Sequence, residues 1–169
     1  MNGQVLAIIG LALSTICCGI GSSIGLKASV TATSGVLSSD PNKFSKVMIL
    51  TLLPATQGIY GLLISFMGLS HTPEVLDPTI LAQAAQLVPE AVAAVSANTQ
   101  AGLAVLFACL PIAICGMFSG IAQGKAAASA IVAVGKKPEV GGRLLMFPAM
   151  IETYALLALV VSIILLNTF

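Results

Sequence analysis

The chain has 169 residues, 57% of them hydrophobic and only 8% charged, with no tryptophan and a mean hydropathy of +1.05. So apolar a chain cannot bury its surface in one small water-soluble core, and it belongs in a bilayer. The net charge of +1 says nothing about partners, and no nucleic-acid partner is expected.

Four apolar runs, at 5–26, 47–69, 101–123 and 144–166, each reach about the twenty residues that a bilayer core requires. The predicted fold is therefore an all-α integral membrane protein with four transmembrane helices. The first run lacks a basic leading region and continues well past Cys18, so it reads as a span and not as a signal peptide. Ala, Ser and Val carry it on to about Val36 before the turn signals Ser38, Ser39, Asp40, Pro41 and Asn42, which place a turn at about 37–46. The second run completes a hairpin over 1–70. An outer connection over 71–100 contains Pro73, Pro78 and Pro89, and its Ala-rich piece at 79–97 predicts a short helix lying at the interface. The third run extends to about Val134, and Gly135, Lys136, Lys137, Pro138 and Glu139 open a second turn at about 135–143. The fourth run closes a second hairpin over 101–169.

All seven cations (Lys27, Lys43, Lys46, Lys125, Lys136, Lys137 and Arg143) lie in or beside two stretches, around 27–46 and 125–143, that contain the turns, whereas 70–100 holds only the acids Glu74, Asp77 and Glu90. The positive-inside rule places the turns in the cytoplasm and both termini outside a cell membrane. Cys17, Cys18, Cys109 and Cys115 all fall inside spans as small apolar packers, with no metal or disulfide spacing.

The halves of the chain resemble one another. Residues 21–28 (GSSIGLKA) parallel 119–126 (SGIAQGKA), and 53–61 (LPATQGIYG) parallel 147–155 (FPAMIETYA). Both copies run in the same direction, unlike the inverted repeats of many transporters. Pairing Pro54 with Pro148 and Tyr60 with Tyr154 sets Gly58 opposite Glu152, so two hairpins share one carboxylate. Small residues recur along the first helix, among them Gly10, Ser14, Gly21, Ser22 and Gly25. They fit close packing inside one four-helix unit and equally the inner wall of a ring of copies.

Glu152 stands alone in the fourth apolar run. A carboxylate at that depth costs about 2.5–3.5 kcal/mol on insertion scales, and such residues mark ion or proton pathways. Counting from Lys46 and Arg143 at 1.5 Å per residue puts Thr56 and Glu152 about 14–15 Å beyond the basic turns, roughly half the hydrocarbon thickness. Thr56, Gln57 and Tyr60 thus share a level with Glu152. Gln123 joins them if the third helix projects into the cytoplasm. A proton site needs only a carboxyl group and a dry pocket, whereas a hard cation takes several oxygen ligands. Glu152, Gln57, Gln123 and Thr56 together suit Na⁺ better than H⁺, which is the alternative. Gln and Thr side chains also bridge membrane helices by hydrogen bonds, so each one alone carries both readings. Tyr60 is placed to donate to the carboxylate, and Tyr154 reads as packing.

The segments 53–61 (LPATQGIYG), 118–125 (FSGIAQGK), 135–139 (GKKPE) and 149–155 (AMIETYA) resemble the duplicated proteolipid, or K subunit, of bacterial V-type ATPases, and the sodium-pumping type most. The resemblance covers nearly all four spans, and the long outer connection is its one departure. It implies a homo-oligomeric ring of four-helix subunits that turns as a rotor, with Glu152 as the ion-binding carboxylate. Side-chain oxygens of Thr56, Gln57 and Gln123 and the main-chain carbonyl of Leu53 would complete a Na⁺ shell, and Tyr60 would hold Glu152. The implied partners are a membrane stator subunit with an essential arginine, a central stalk on the cytoplasmic turns, and lipid. No glycine-rich phosphate loop is present, so no ATP site is expected in this chain. A secondary transporter or channel is the remaining alternative, and one acid without an intramembrane basic partner is thin equipment for it.

Overall fold

The computed structural model describes residues 2–86 and 88–168, and every regular element among them is helical. Four segments are long and apolar enough to cross a membrane: Gly3–Ser39, Pro41–Leu69, Pro89–Lys136 and Pro138–Thr168. The first is one helix, α1 (Gly3–Ser39). The second comprises α2 (Phe44–Leu52) and α3 (Thr56–Leu69), the outer connection carries α4 (Pro78–Ala85), and the third span is α5 (Pro89–Lys136). A short α6 (Gly141–Leu144) and then α7 (Met146–Thr168) complete the fourth span. At 1.5 Å per residue, the 48 residues of α5 are about 70 Å long and the 37 of α1 about 55 Å. Both overrun a core of about 30 Å, as the uninterrupted Ala, Ser and Val tails predict.

Prolines decide where the chain bends. Pro54 has no N–H to continue the ladder, and the second span tightens into a 3₁₀ turn at Leu53–Ala55 between α2 and α3. Apolar periodicity alone shows no such break. Pro111 lies within α5 without ending it. Beside it the Ile112 amide donates to Ser162 Oγ at 3.2 Å, and the Ile112 carbonyl accepts from Cys18 Sγ at 3.2 Å, so three helices are tied at that level.

The connection differs from the single interfacial helix expected over 79–97. Pro89 suits the first helical position, where its missing N–H costs nothing, so it opens α5, and the residues from 89 onward become the outer end of the third span. What remains is the eight-residue α4, started by Pro78 and capped by Asp77, whose Oδ1 accepts from Thr79 Oγ1 at 2.7 Å and Thr79 N at 2.8 Å. These two bonds hold the Asp77 carboxyl below the usual range. Asn98 fastens the connection to the N-terminus, accepting from Gly3 N at 2.9 Å and donating to the Glu74 carbonyl at 2.9 Å.

The two basic turns are joined at the opposite end. Lys43 pairs with Asp40 at 3.3 Å and donates to the Gly135 carbonyl at 2.8 Å, which holds the turns level. Asp40 also accepts from the Asn42 amide, and that bond first and Lys43 second keep its carboxyl below the ordinary range.

α1 runs along α5 in the most extensive contact of the molecule. A Cβ on Gly124 would lie 2.2 Å from Gly25 Cα, so the two backbones touch and no larger side chain fits. α3 and α7 pack outside this pair. One apolar cluster, including Leu11, Ile64, Ile112 and Leu166, fills the half toward the connection; a second, with Val36, Val47, Leu50 and Ile131, fills the half toward the basic turns. The fully buried amides of Gln57 and Gln123 lie between them.

Candidate functional site

Three helices and the 3₁₀ turn carry the six predicted residues, and hydrogen bonds join them in three pairs: Tyr60 with Glu152, Gln57 with Gln123, and Thr56 with Leu53. The 3₁₀ turn ends at Ala55, so α3 opens with Thr56 and Gln57 and presents Tyr60 one turn later. Gln123 comes from the middle of α5, and Glu152 from the second turn of α7. Gln57 and Gln123 are fully buried; Leu53, Thr56, Tyr60 and Glu152 are half-buried.

Tyr60 donates its hydroxyl to Glu152 Oε1 at 2.6 Å, which fixes the carboxylate against α3. A bond to a charged acceptor is about twice as strong as a neutral one. Behind it runs an amide chain. Gln57 Nε2 donates to Gln123 Oε1 at 2.5 Å, and Gln123 Nε2 donates to the Pro148 carbonyl at 3.2 Å. Thr56 Oγ1 donates to the Leu53 carbonyl at 3.0 Å.

One atom in this arrangement is left over. Gln57 Oε1 is buried and has no hydrogen-bond partner. An unpaired buried amide oxygen costs about 1–3 kcal/mol, yet the chain keeps it at the level of Glu152, the only acidic residue in the four apolar runs. Because the Gln57 amide group is oriented by Gln123, and Gln123 by Pro148, the orphan is held in place by two successive bonds. The donor set is thus one carboxylate, two amide oxygens, a hydroxyl and a main-chain carbonyl. These are hard oxygen donors with a single negative charge, suited to one monovalent cation. Among the described residues no three His, Cys, Asp or Glu side chains cluster, so the softer, multiply charged metals lack ligands here.

The structure also adds residues to those the sequence points to. The Pro148 carbonyl anchors Gln123, and Ser22 Oγ accepts from the Gly58 amide at 2.8 Å, beside the position where the first repeat lacks a carboxylate. In the sequence Pro148 is visible only as the repeat partner of Pro54, and nothing in the spacing marks its carbonyl. Tyr154 is exposed and contributes nothing to the Glu152 cluster.

Comparison with known proteins agrees with the duplicated architecture. The pattern of the ATP synthase C-subunit family matches the chain twice, at 9–68 and 106–165. The chain is similar to the V-type sodium ATPase subunit K of Enterococcus hirae, with 40% identity over 97% of its own length and 92% of that protein. It is also similar to the A-type ATP synthase subunit K of Methanocaldococcus jannaschii, with 32% identity over 96% of its length, although it spans only 62% of that protein. The chain belongs to the ATP synthase C-subunit family, as a tandemly duplicated, four-helix, multi-pass membrane member.

Proposed function

We propose that the chain is the rotor-ring subunit of a V-type ATPase that carries Na⁺ on Glu152. In this reading 1–70 and 101–169 act as two hairpin units joined by 71–100. Copies close into a ring in the cell membrane, with the basic turns on the cytoplasmic side and both termini outside. The orphaned Gln57 Oε1 carries the choice of ion: a proton on Glu152 needs no further acceptor, whereas a sodium ion takes one. Oxygens of Glu152, Gln123, Gln57 and Thr56 and the Leu53 carbonyl would form the shell. Tyr60, which already holds Glu152, would keep the carboxylate turned inward. The resemblance to a sodium ATPase subunit K supports the same ion.

The physical role of the carboxylate follows from its surroundings. Glu152 bearing a cation is neutral overall and can face lipid; emptied, it carries a charge that the hydrocarbon penalises by a few kcal/mol. A charged Glu152 is therefore confined to a stator surface, where an arginine of the stator subunit would pair with it. A central stalk seated on the cytoplasmic turns would supply the torque. Each ion moved against the membrane potential costs about 2.3 kcal/mol per 100 mV. One carboxylate for four helices halves the ions carried per helix relative to a ring of single hairpins with one acid each, which suits pumping against a steep gradient.

Glu152→Gln tests this reading. The variant should assemble a normal ring and abolish ion-coupled ATP hydrolysis of the complete complex. Normal pumping by the assembled variant would overturn the assignment.

A further inference from the structure

Among the described residues three buried side-chain atoms have no hydrogen-bond partner: Gln57 Oε1, Ser119 Oγ and, at the outer end of α1, Asn2 Oδ1. Ser119 is 7% exposed and lies on α5, one turn before Gln123. A helical serine can return its proton to a carbonyl of the preceding turn, as Ser34 and Ser129 do. The other buried serines among the described residues are Ser14, Ser22, Ser29 and Ser162, and each has a partner. The Ser119 hydroxyl takes neither course, so it is not spent on its own helix or on a neighbouring one.

Two contacts locate it. Cys115 Sγ donates to the Tyr154 carbonyl at 3.3 Å, and Gln123 Nε2 donates to the Pro148 carbonyl. Ser119 stands four residues from each of these donors, on the same strip of α5. Glu152 lies between Pro148 and Tyr154 on α7, so Ser119 is on the side of α5 toward α7 at the depth of the carboxylate. Helical side chains lean toward the N-terminal turn, which carries the Gln123 amide, with Gln57 bonded to it, toward Ser119. The repeat groups the same residues. Ser119, Gln123 and Glu152 are matched in the first hairpin by Gly21, Gly25 and Gly58, so hydroxyl, amide and carboxylate occur together in one hairpin and are missing together from the other. Close packing explains the glycine at 21, where a Cβ would fall 2.4 Å from the Met117 carbonyl oxygen. It does not explain a buried hydroxyl at the matching position, where alanine would leave no unpaired oxygen.

We propose that Ser119 is a positioning residue of the cation site, acting through one bound water that accepts a hydrogen bond from Ser119 Oγ and donates one to Gln57 Oε1. Buried waters serve in this way, bonding to polar groups that are otherwise unpaired. An amide oxygen has two lone pairs, so the water takes one and leaves the other for the cation. The water holds the Gln57 amide with its oxygen toward the ion. A flipped amide would instead present N–H groups, which repel a cation. A proton on Glu152 needs no such oxygen, so the water bears on sodium alone. The inference rests on the Na⁺ site proposed above and goes beyond it in adding a residue and a water to the five protein donors.

Ser119→Ala in the purified ring tests this, because it removes one oxygen and little volume. Carbodiimide labelling of Glu152 supplies two readings, the midpoint of Na⁺ protection and the pH dependence of labelling without Na⁺. The variant should raise the Na⁺ midpoint about 5-fold and leave the pH dependence where it is. A density map of the native ring fine enough to show ordered water should place one within hydrogen-bond distance of both Ser119 Oγ and Gln57 Oε1, and the map of Ser119→Ala should lack it. An unchanged or lowered midpoint, a shift of both readings together, or a native map without that water would overturn the inference and leave the sodium reading standing as long as Na⁺ protects the native ring. Native labelling indifferent to Na⁺ would overturn both.

Discussion

Tyr60 and Glu152 stand 92 residues apart and share a 2.6 Å hydrogen bond between α3 and α7. The bond crosses from one repeat to the other, so the carboxylate of the second hairpin is positioned by a hydroxyl of the first. Neither hairpin alone holds the arrangement.

Tyr60→Phe keeps the ring and removes that hydroxyl. A hydrogen bond to a charged group contributes about 1.5–3 kcal/mol, so retention of Na⁺ should weaken by about 10-fold or more. The midpoint of Na⁺ protection against carbodiimide labelling of Glu152 measures this. An unchanged midpoint would show that Tyr60 merely packs.

Gln57 and Gln123 should behave as a unit. Gln57→Leu strands the Gln123 oxygen, and Gln123→Leu strands the Gln57 amide, each at a cost of about 1–3 kcal/mol. The double variant strands neither, so its destabilisation should fall short of the sum by about 1 kcal/mol. Thermal unfolding of the four proteins in one detergent reads the coupling, and strict additivity would contradict the bond.

Gly124→Leu should separate α1 from α5, because even a Cβ there falls 2.2 Å from Gly25 Cα. Overpacking of this kind costs about 1–3 kcal/mol. Gly142→Ala, at an exposed position of α6 with no atom within 4 Å of the added carbon, serves as the comparison and should be neutral or slightly stabilising. Equal effects of the two changes would mean that the helices do not touch at Gly25.

Much of this architecture is legible in the sequence, for identifiable reasons. The spans follow from hydropathy, the overrunning cytoplasmic ends of α1 and α5 from the absence of breakers after Leu26 and Gln123, and the expected co-level placement of Thr56 and Glu152 from nearly equal distances to Lys46 and Arg143. The 3₁₀ turn at Pro54 escapes because apolar periodicity runs through it. The helix expected over 79–97 is misplaced because Pro89 looks like a breaker inside a loop, when it opens the longest helix. The bonds from Gln57 to Gln123 and on to Pro148 depend on how three helices rotate about their axes, which residue spacing does not specify. The orphaned Gln57 oxygen is a consequence of that rotation.

The Asp77 cap has a pH dependence with a definite sign. Its folded pKa lies below the ordinary value, mainly through the Thr79 hydroxyl and then the Thr79 amide. The stabilisation of the first turn of α4 is therefore complete above about pH 4 and is lost as pH falls through the folded value. Protection factors of the α4 amides in micelles should drop across that window and be insensitive to it in Asp77→Ala. Protection in the native chain that does not change with pH would contradict the cap.

The central claim is that Glu152, with the oxygens of Gln57, Gln123 and Thr56 and the Leu53 carbonyl, holds a sodium ion inside each chain. Hydrophobic carbodiimides react with a protonated carboxyl group, so the most direct measurement is the rate of Glu152 labelling in the purified ring, with and without Na⁺, at fixed pH and ionic strength. The account predicts a single labelled site per chain, strong protection by millimolar Na⁺ and none by an equal concentration of a large organic cation. Labelling indifferent to Na⁺ would contradict sodium as the cargo, and labelling that persists in Glu152→Gln would contradict Glu152 as its seat.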